Sequence, residues 1–191
     1  MEGPSHPGTP TRVAVFPQAS FIFSGNLRRY LDPHGTAGDR KLNQVLGDLA
    51  SALGDGATPG DGASTGQQLT LDLVATAGGA NLSAGQKQVV ALARAALTDA
   101  KVVILDEITS NMDAAAAERA MGIVKRELVA RGAAVLLIAH SVNDIAVCDD
   151  VWVMDGGRIV ESGAPGALLR NPNSIFAFMS SVNNTGAAGA K

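Results

Sequence analysis

A chain of 191 residues suits one domain, for which about 100–200 residues is usual, and 46% apolar with 17% charged residues can bury a core. Its 15 basic and 18 acidic residues leave a net charge of -3 with no basic face, which argues against nucleic acid as a partner. A lone cysteine, Cys148, excludes an internal disulfide, fits a reducing cytosolic setting, and cannot close a zinc site with three scattered histidines.

Met1 to Pro10, rich in Pro, Gly and small polar residues, is expected to be disordered. It shows no basic segment followed by an apolar stretch, so no signal peptide is expected. Thr11 to Phe16 alternates apolar and polar side chains and is predicted as a short strand. Phe21-Ile22-Phe23 forms an apolar patch, and Ser24 is predicted to cap a short helix that Asp32-Pro33 stops. Leu42, Val45, Leu46, Leu49 and Leu53 recur at three- and four-residue steps, predicting a helix from Asp39 to Leu53. Gly54 to Gly66 is low-complexity and is expected to be a flexible insertion within the domain.

From Leu69 onward the pattern becomes α/β. Ser83 to Leu97 reads as a helix, Lys101 to Leu105 as a buried strand, and Ala114 to Ala130 as an amphipathic helix. Ala133 to Ala139 reads as a second buried strand and is far short of the roughly 20 apolar residues that cross a bilayer. Val151 to Met154, the turn Asp155-Gly156-Gly157, and Arg158 to Glu161 read as a hairpin. Short helices near Ala167 and Ile175 precede a small-residue tail expected to be disordered from Asn183 to Lys191. Apolar strands alternating with helices imply an α/β fold with parallel strands covered on both faces.

The run Val102 to Leu105 delivers two adjacent acids, Asp106 and Glu107, to the carboxyl end of a buried strand. Ligands of open α/β sheets bind at that edge. The first carboxylate there can hold Mg²⁺ through water, and the second can orient or deprotonate an attacking water. A strand ending in solvated acids is the competing reading of the hexapeptide alone. Leu82-Ser83-Ala84-Gly85-Gln86 opens a helix with a good N-cap at Ser83 and a glycine that permits close backbone approach. His140, just beyond the second buried strand, would share the rim with the acids.

In that order, LSAGQ, VVILDE, Ser110-Asn111-Met112-Asp113 and Ile138-Ala139-His140-Ser141 resemble the nucleotide-binding domain of ATP-binding-cassette (ABC) transporters. LSAGQ is similar to the signature motif, with Ala84 in place of the usual glycine. VVILDE resembles the Walker B strand with its catalytic glutamate, Ser110 to Asp113 the D-loop, and His140 the switch histidine. Val15 to Arg28 (VFPQASFIFSGNLR) resembles the Q-loop of the multidrug-resistance-associated subfamily C, running on into Leu31-Asp32-Pro33.

The resemblance implies a P-loop NTPase-like parallel sheet flanked by helices, with a small helical subdomain. Residues 11–182 would form a partial nucleotide-binding domain. The Q-loop would span 15–25, the helical subdomain about 26–98, and the Walker B to H-loop core 101–163. It implies ATP and Mg²⁺ as cofactors. Asp106 and Gln18 would hold the metal, and Glu107, His140 and Gln18 would be catalytic. Ser83, Gly85 and Gln86 would serve a nucleotide held by a second, head-to-tail nucleotide-binding domain, with Ser110 and Asp113 communicating across that interface. Transmembrane domains of an exporter would be the other partner, placing the chain at the cytoplasmic face of a membrane.

Two departures stand out. Ala77, before Gly78, replaces a residue commonly acidic in such exporters, and no GxxxxGK[ST] phosphate loop occurs in the sequence. The chain is therefore expected to be the carboxyl-terminal portion of such a domain, inactive alone, with absent strands leaving an exposed sheet edge and core face. The alternatives are an interaction module supplying LSAGQ in trans, or a soluble ABC-type ATPase.

Overall fold

The computed structural model describes residues 12–18, 22–54, 68–110, 112–139, 145 and 148–186. The expected disordered N-terminus, nearly all of the flexible insertion, and His140 lie outside the described residues.

Three parallel strands form the central sheet: β1 (Val13–Phe16), β4 (Val102–Asp106) and β5 (Ala134–Ile138), in the order β1-β4-β5. The register sets Phe16 beside Leu105 and Asp106 beside Ile138, so all three strands end at one edge. Against one face pack α2 (Asp39–Ala52), α3 (Ala84–Leu97) and α4 (Ala114–Ala130), which share a core with Val103 and Leu105. The periodic leucines of α2 behave as their spacing predicts, with Leu42, Val45, Leu46 and Leu49 all buried. Arg119 of α4 donates from Nε and Nη2 to the Ala52 carbonyl at 3.1 and 2.9 Å, capping the end of α2.

Neither the covering of both faces nor the burial of the Ala133 to Ala139 strand, both expected from the sequence, holds among the described residues. Val13, Val15, Leu136 and Ile138 are exposed, because α2, α3 and α4 pack against the opposite face and β5 is an edge strand among the described residues. The separate expectation of a bare core face is the one met. It leaves an apolar surface of the kind that drives association.

Ser24 does not cap a helix. Gly25–Asn26 form β2, which pairs antiparallel with β3 (Val74–Ala75), and Asn26 Oδ1 accepts from the Arg28 amide at 2.9 Å to start α1 (Leu27–Leu31). Gly25 sits at φ 138, a backbone that side chains disfavour, which holds the helix start back. Of the apolar patch, Ile22 is buried and Phe23 exposed.

The hairpin forms as expected from β6 (Val151–Asp155) and β7 (Arg158–Gly163), with Gly156 and Gly157 both at positive φ in a two-residue turn. It builds a small second core with α5 (Pro165–Arg170) and α6 (Ile175–Gly186), through Val151, Leu168 and Phe176. Glu161 ties α6 down, its Oε2 accepting from Ser174 Oγ at 3.0 Å and from the Phe176 amide at 2.8 Å. Helix α6 continues to Gly186, past Asn183 where a disordered tail was expected. No helix among the described residues is long and apolar enough to cross a membrane.

Candidate functional site

The parallel pairing of β1 with β4 decides where Gln18, Asp106 and Glu107 lie. Gln18 lies two residues past the end of β1, Asp106 ends β4 and Glu107 follows it, so these residues belong to one rim. Glu107 adopts φ 50, the left-handed region unfavourable to a side-chain-bearing residue, while its amide donates to the Ile138 carbonyl at 3.0 Å. The chain then turns at once, with the Ser110 amide donating to the Glu107 carbonyl at 3.1 Å. That turn swings Ser110 onto the neighbouring strand's loop, where its Oγ accepts from Gln18 Nε2 at 3.2 Å. Asp106 and Glu107 are half-buried, and Gln18 and Ser110 exposed. His140, two residues past Ile138, is outside the described residues, so its place at this rim rests on the sequence.

Asp113 is engaged locally, its Oδ1 accepting from the Ala116 amide at 2.9 Å to cap α4. Ser83 and Gln86 form a capping box on α3. Ser83 Oγ accepts from the Gln86 amide at 3.1 Å, and Gln86 Oε1 accepts from the Ser83 amide at 3.0 Å. In a helix the first-turn amides, here those of Ala84 and Gly85, find no carbonyl within the helix. Ser83 and Ala84 are exposed and Gly85 half-buried, so this turn can be approached from outside.

Asn81 carries no motif and was missed from sequence, yet it sets the approach to this helix. Its Oδ1 accepts from the Thr76 amide at 2.9 Å and hydroxyl at 3.0 Å, and its Nδ2 donates to the Val74 carbonyl at 3.0 Å. Between them Gly79 adopts φ 63, with the Ile22 side chain 3.2 Å from where a Cβ would stand. A side chain there would be strained by both backbone and crowding.

Beside the rim, along the outer edge of β1, lies a cavity of about 370 Å³ whose lining includes Phe16, Pro17, Phe23, Tyr30, His34 and Arg94. The Arg94 guanidinium stands 4.6 Å from the Tyr30 ring centroid and donates to the Tyr30 carbonyl. Burial raises the Tyr30 phenol above its ordinary pKa, with Arg94 opposing. Asp32, 9% exposed, is pushed up by burial yet held below the usual carboxylate range overall. The Ala37 amide at 2.6 Å and the Thr36 hydroxyl at 3.2 Å both donate to it.

The rim's donors are oxygens, from Asp106, Glu107, Gln18 and Ser110, which suit a hard cation such as Mg²⁺. No group of three His, Cys, Asp or Glu side chains able to hold a metal occurs among the described residues. A cation here would therefore keep much of a shell of its own, as Mg²⁺ does. A triphosphate fits less well. Lys101 is at the opposite end of β4, donating to the Arg131 carbonyl at 3.1 Å, and Lys87 lies within α3.

Residues 9–110 match the family model described as ABC transporter. Over 173 residues the chain is 38% identical to the ATP-binding cassette sub-family C member 10 of Mus musculus, covering 87% of this chain and 10% of that protein. Over 166 residues it is 34% identical to the vacuolar heme ABC transmembrane exporter abc3 of Schizosaccharomyces pombe, covering 87% of this chain and 11% of that protein. Among solved structures, a bacterial Atm1-family ABC exporter with ATP bound is similar at a TM-score of 0.67 and 25% identity, over 90% of this chain and 28% of that one. The chain thus spans about a tenth of the length of the curated relatives it matches.

Proposed function

Because this chain belongs to the ABC transporter family, we propose that it is the carboxyl-terminal part of the nucleotide-binding domain of a subfamily C exporter, coupling ATP hydrolysis to solute export. The observation that carries this reading is the convergence of Gln18, Asp106, Glu107 and Ser110 on one rim, sealed by the Gln18–Ser110 hydrogen bond at 3.2 Å.

Magnesium-bound ATP supplies the phosphoryl group under attack. Asp106 and the Gln18 carbonyl oxygen would hold the hydrated cation, which would offset the charge of the phosphates. Glu107 orients the attacking water and accepts its proton. His140 contacts the terminal phosphate. The phosphate loop comes from chain outside these residues. Ser83, Gly85 and Gln86 present the start of α3 to a nucleotide held by a second, head-to-tail domain, where electropositive helix ends favour phosphate. Ser110 and Asp113 belong to the segment at that interface. The loop flanking Gln18 couples to the transmembrane partner, at the cytoplasmic face of its membrane.

Subfamily C relatives covering 87% of the chain favour this reading over a soluble ATPase. Joining the chain to a phosphate-loop segment from such a relative tests it. The chimera should hydrolyse ATP, and Glu107→Gln should lower the rate by about 100-fold or more. A chimera that hydrolyses ATP equally well with Glu107→Gln would overturn the proposal.

A further inference from the structure

We propose that the Ser110 hydroxyl is a positioning residue for Gln18, taking the amide nitrogen so that the carbonyl oxygen faces the cation held by Asp106. This rests on the magnesium reading above and assigns Ser110 a task inside its own chain, in addition to any at a paired interface.

A glutamine amide has two ends of nearly equal size, and only the oxygen can bind a cation. Gln18 is exposed two residues beyond a strand that lies at the sheet edge among the described residues, so nothing in β1 itself fixes which end faces Asp106. In the structure Nε2 donates to Ser110 Oγ at 3.2 Å, which commits the nitrogen and turns the oxygen elsewhere. A hydroxyl can bond either end, so the cation selects the oxygen and the serine holds the nitrogen that is left.

Ser110 is suited to this because its own place is rigidly set. Its amide is bonded to the Glu107 carbonyl at 3.1 Å, and the Met112 amide to the Thr109 carbonyl at 3.0 Å. Thr109 is buried, anchoring the turn from beneath. The turn springs from Glu107, whose amide is bonded to β5 at Ile138. The backbone that carries the hydroxyl is thereby fixed relative to the ends of β4 and β5, and the hydroxyl transfers that position to Gln18. The Phe16–Leu105 register brings Gln18 level with Glu107, within reach of the turn.

The full chain, labelled with ¹⁵N, is titrated with Mn²⁺ alone, a paramagnetic stand-in for Mg²⁺, while the Gln18 side-chain amide signals are followed. In the wild type, Mn²⁺ should broaden the signals of Asp106 and Gln18. Ser110→Ala should move the Gln18 side-chain amide towards its free position and weaken Mn²⁺ binding at this rim about fivefold. Ser110→Thr, which keeps the hydroxyl, should restore both. Unchanged Gln18 signals and unchanged Mn²⁺ broadening in a folded Ser110→Ala chain would overturn the inference alone. Failure of Mn²⁺ to broaden Asp106 in the wild type would overturn the magnesium reading and this inference with it.

Discussion

Replacing Lys41 with Met tests how α2 is fastened to α4. Glu127 is buried in α4, its side chain only 6% exposed, and Lys41 Nζ reaches its Oε2 at 2.6 Å from α2. Arg126 offers a second cation at 3.6 Å, but it also pairs with Asp48 at 3.2 Å. Removing one partner of a fully buried ion pair costs about 3–5 kcal/mol, chiefly because the remaining charge stays buried. Here the lysine side chain is 40% exposed and Arg126 compensates in part, so Lys41→Met should cost about 2 kcal/mol. For a chain of this size that lowers the melting temperature by about 4–8 °C. The double variant Lys41→Met with Glu127→Leu removes both charges and should recover most of the loss. Urea unfolding of wild type, singles and double closes the cycle, provided the slopes agree. A double variant as unstable as the sum of the singles would refute the buried-charge explanation.

Asp32→Asn should destabilise the chain by about 1–2 kcal/mol at neutral pH, because an amide replaces a charged acceptor of converging donors. Since the folded carboxyl titrates below its unfolded value of about 3.9, its contribution is present above that pH and lost as pH falls through the folded value. Thermal melts should therefore show the gap between wild type and Asp32→Asn closing in acid, and a gap constant down to pH 2 would contradict the assignment. Leu136→Lys on the bare sheet face should change stability by less than about 0.5 kcal/mol while reducing self-association in sedimentation. A loss like that of a core substitution would mean the face is packed. Isothermal titration of the chain with Mg-ATP should detect no micromolar binding, and such binding would contradict a phosphate grip supplied from outside it.

Much of the fold was legible because local chemistry and burial agreed. The Asp39 helix follows its leucine period, and α3 and α4 start directly after the caps Ser83 and Asp113. Asp106 and Glu107 could be placed at a strand end because an apolar run leaves its strand only where polar residues begin. The burial of β5 was misjudged because AVLLI reads alike whether both faces or one are covered, and coverage depends on chain elsewhere. Ser24 lost the cap to Asn26 because Gly25–Asn26 pair with Val74–Ala75, a contact spanning the low-complexity insertion. The Gln18–Ser110 bond and the stacking of Arg94 on Tyr30 join residues far apart in sequence, and no periodicity encodes them.

The most direct test of the whole account uses the three histidines as reporters. Ring signals are recorded while Mn²⁺ is added to the wild-type chain and to Asp106→Asn. If strand ends gather one magnesium site, the His140 signals broaden first in the wild type, ahead of His6 and His34, and this preference vanishes in Asp106→Asn. Broadening of His140 that is no earlier than that of the other two, or that persists without the Asp106 carboxylate, would contradict the site.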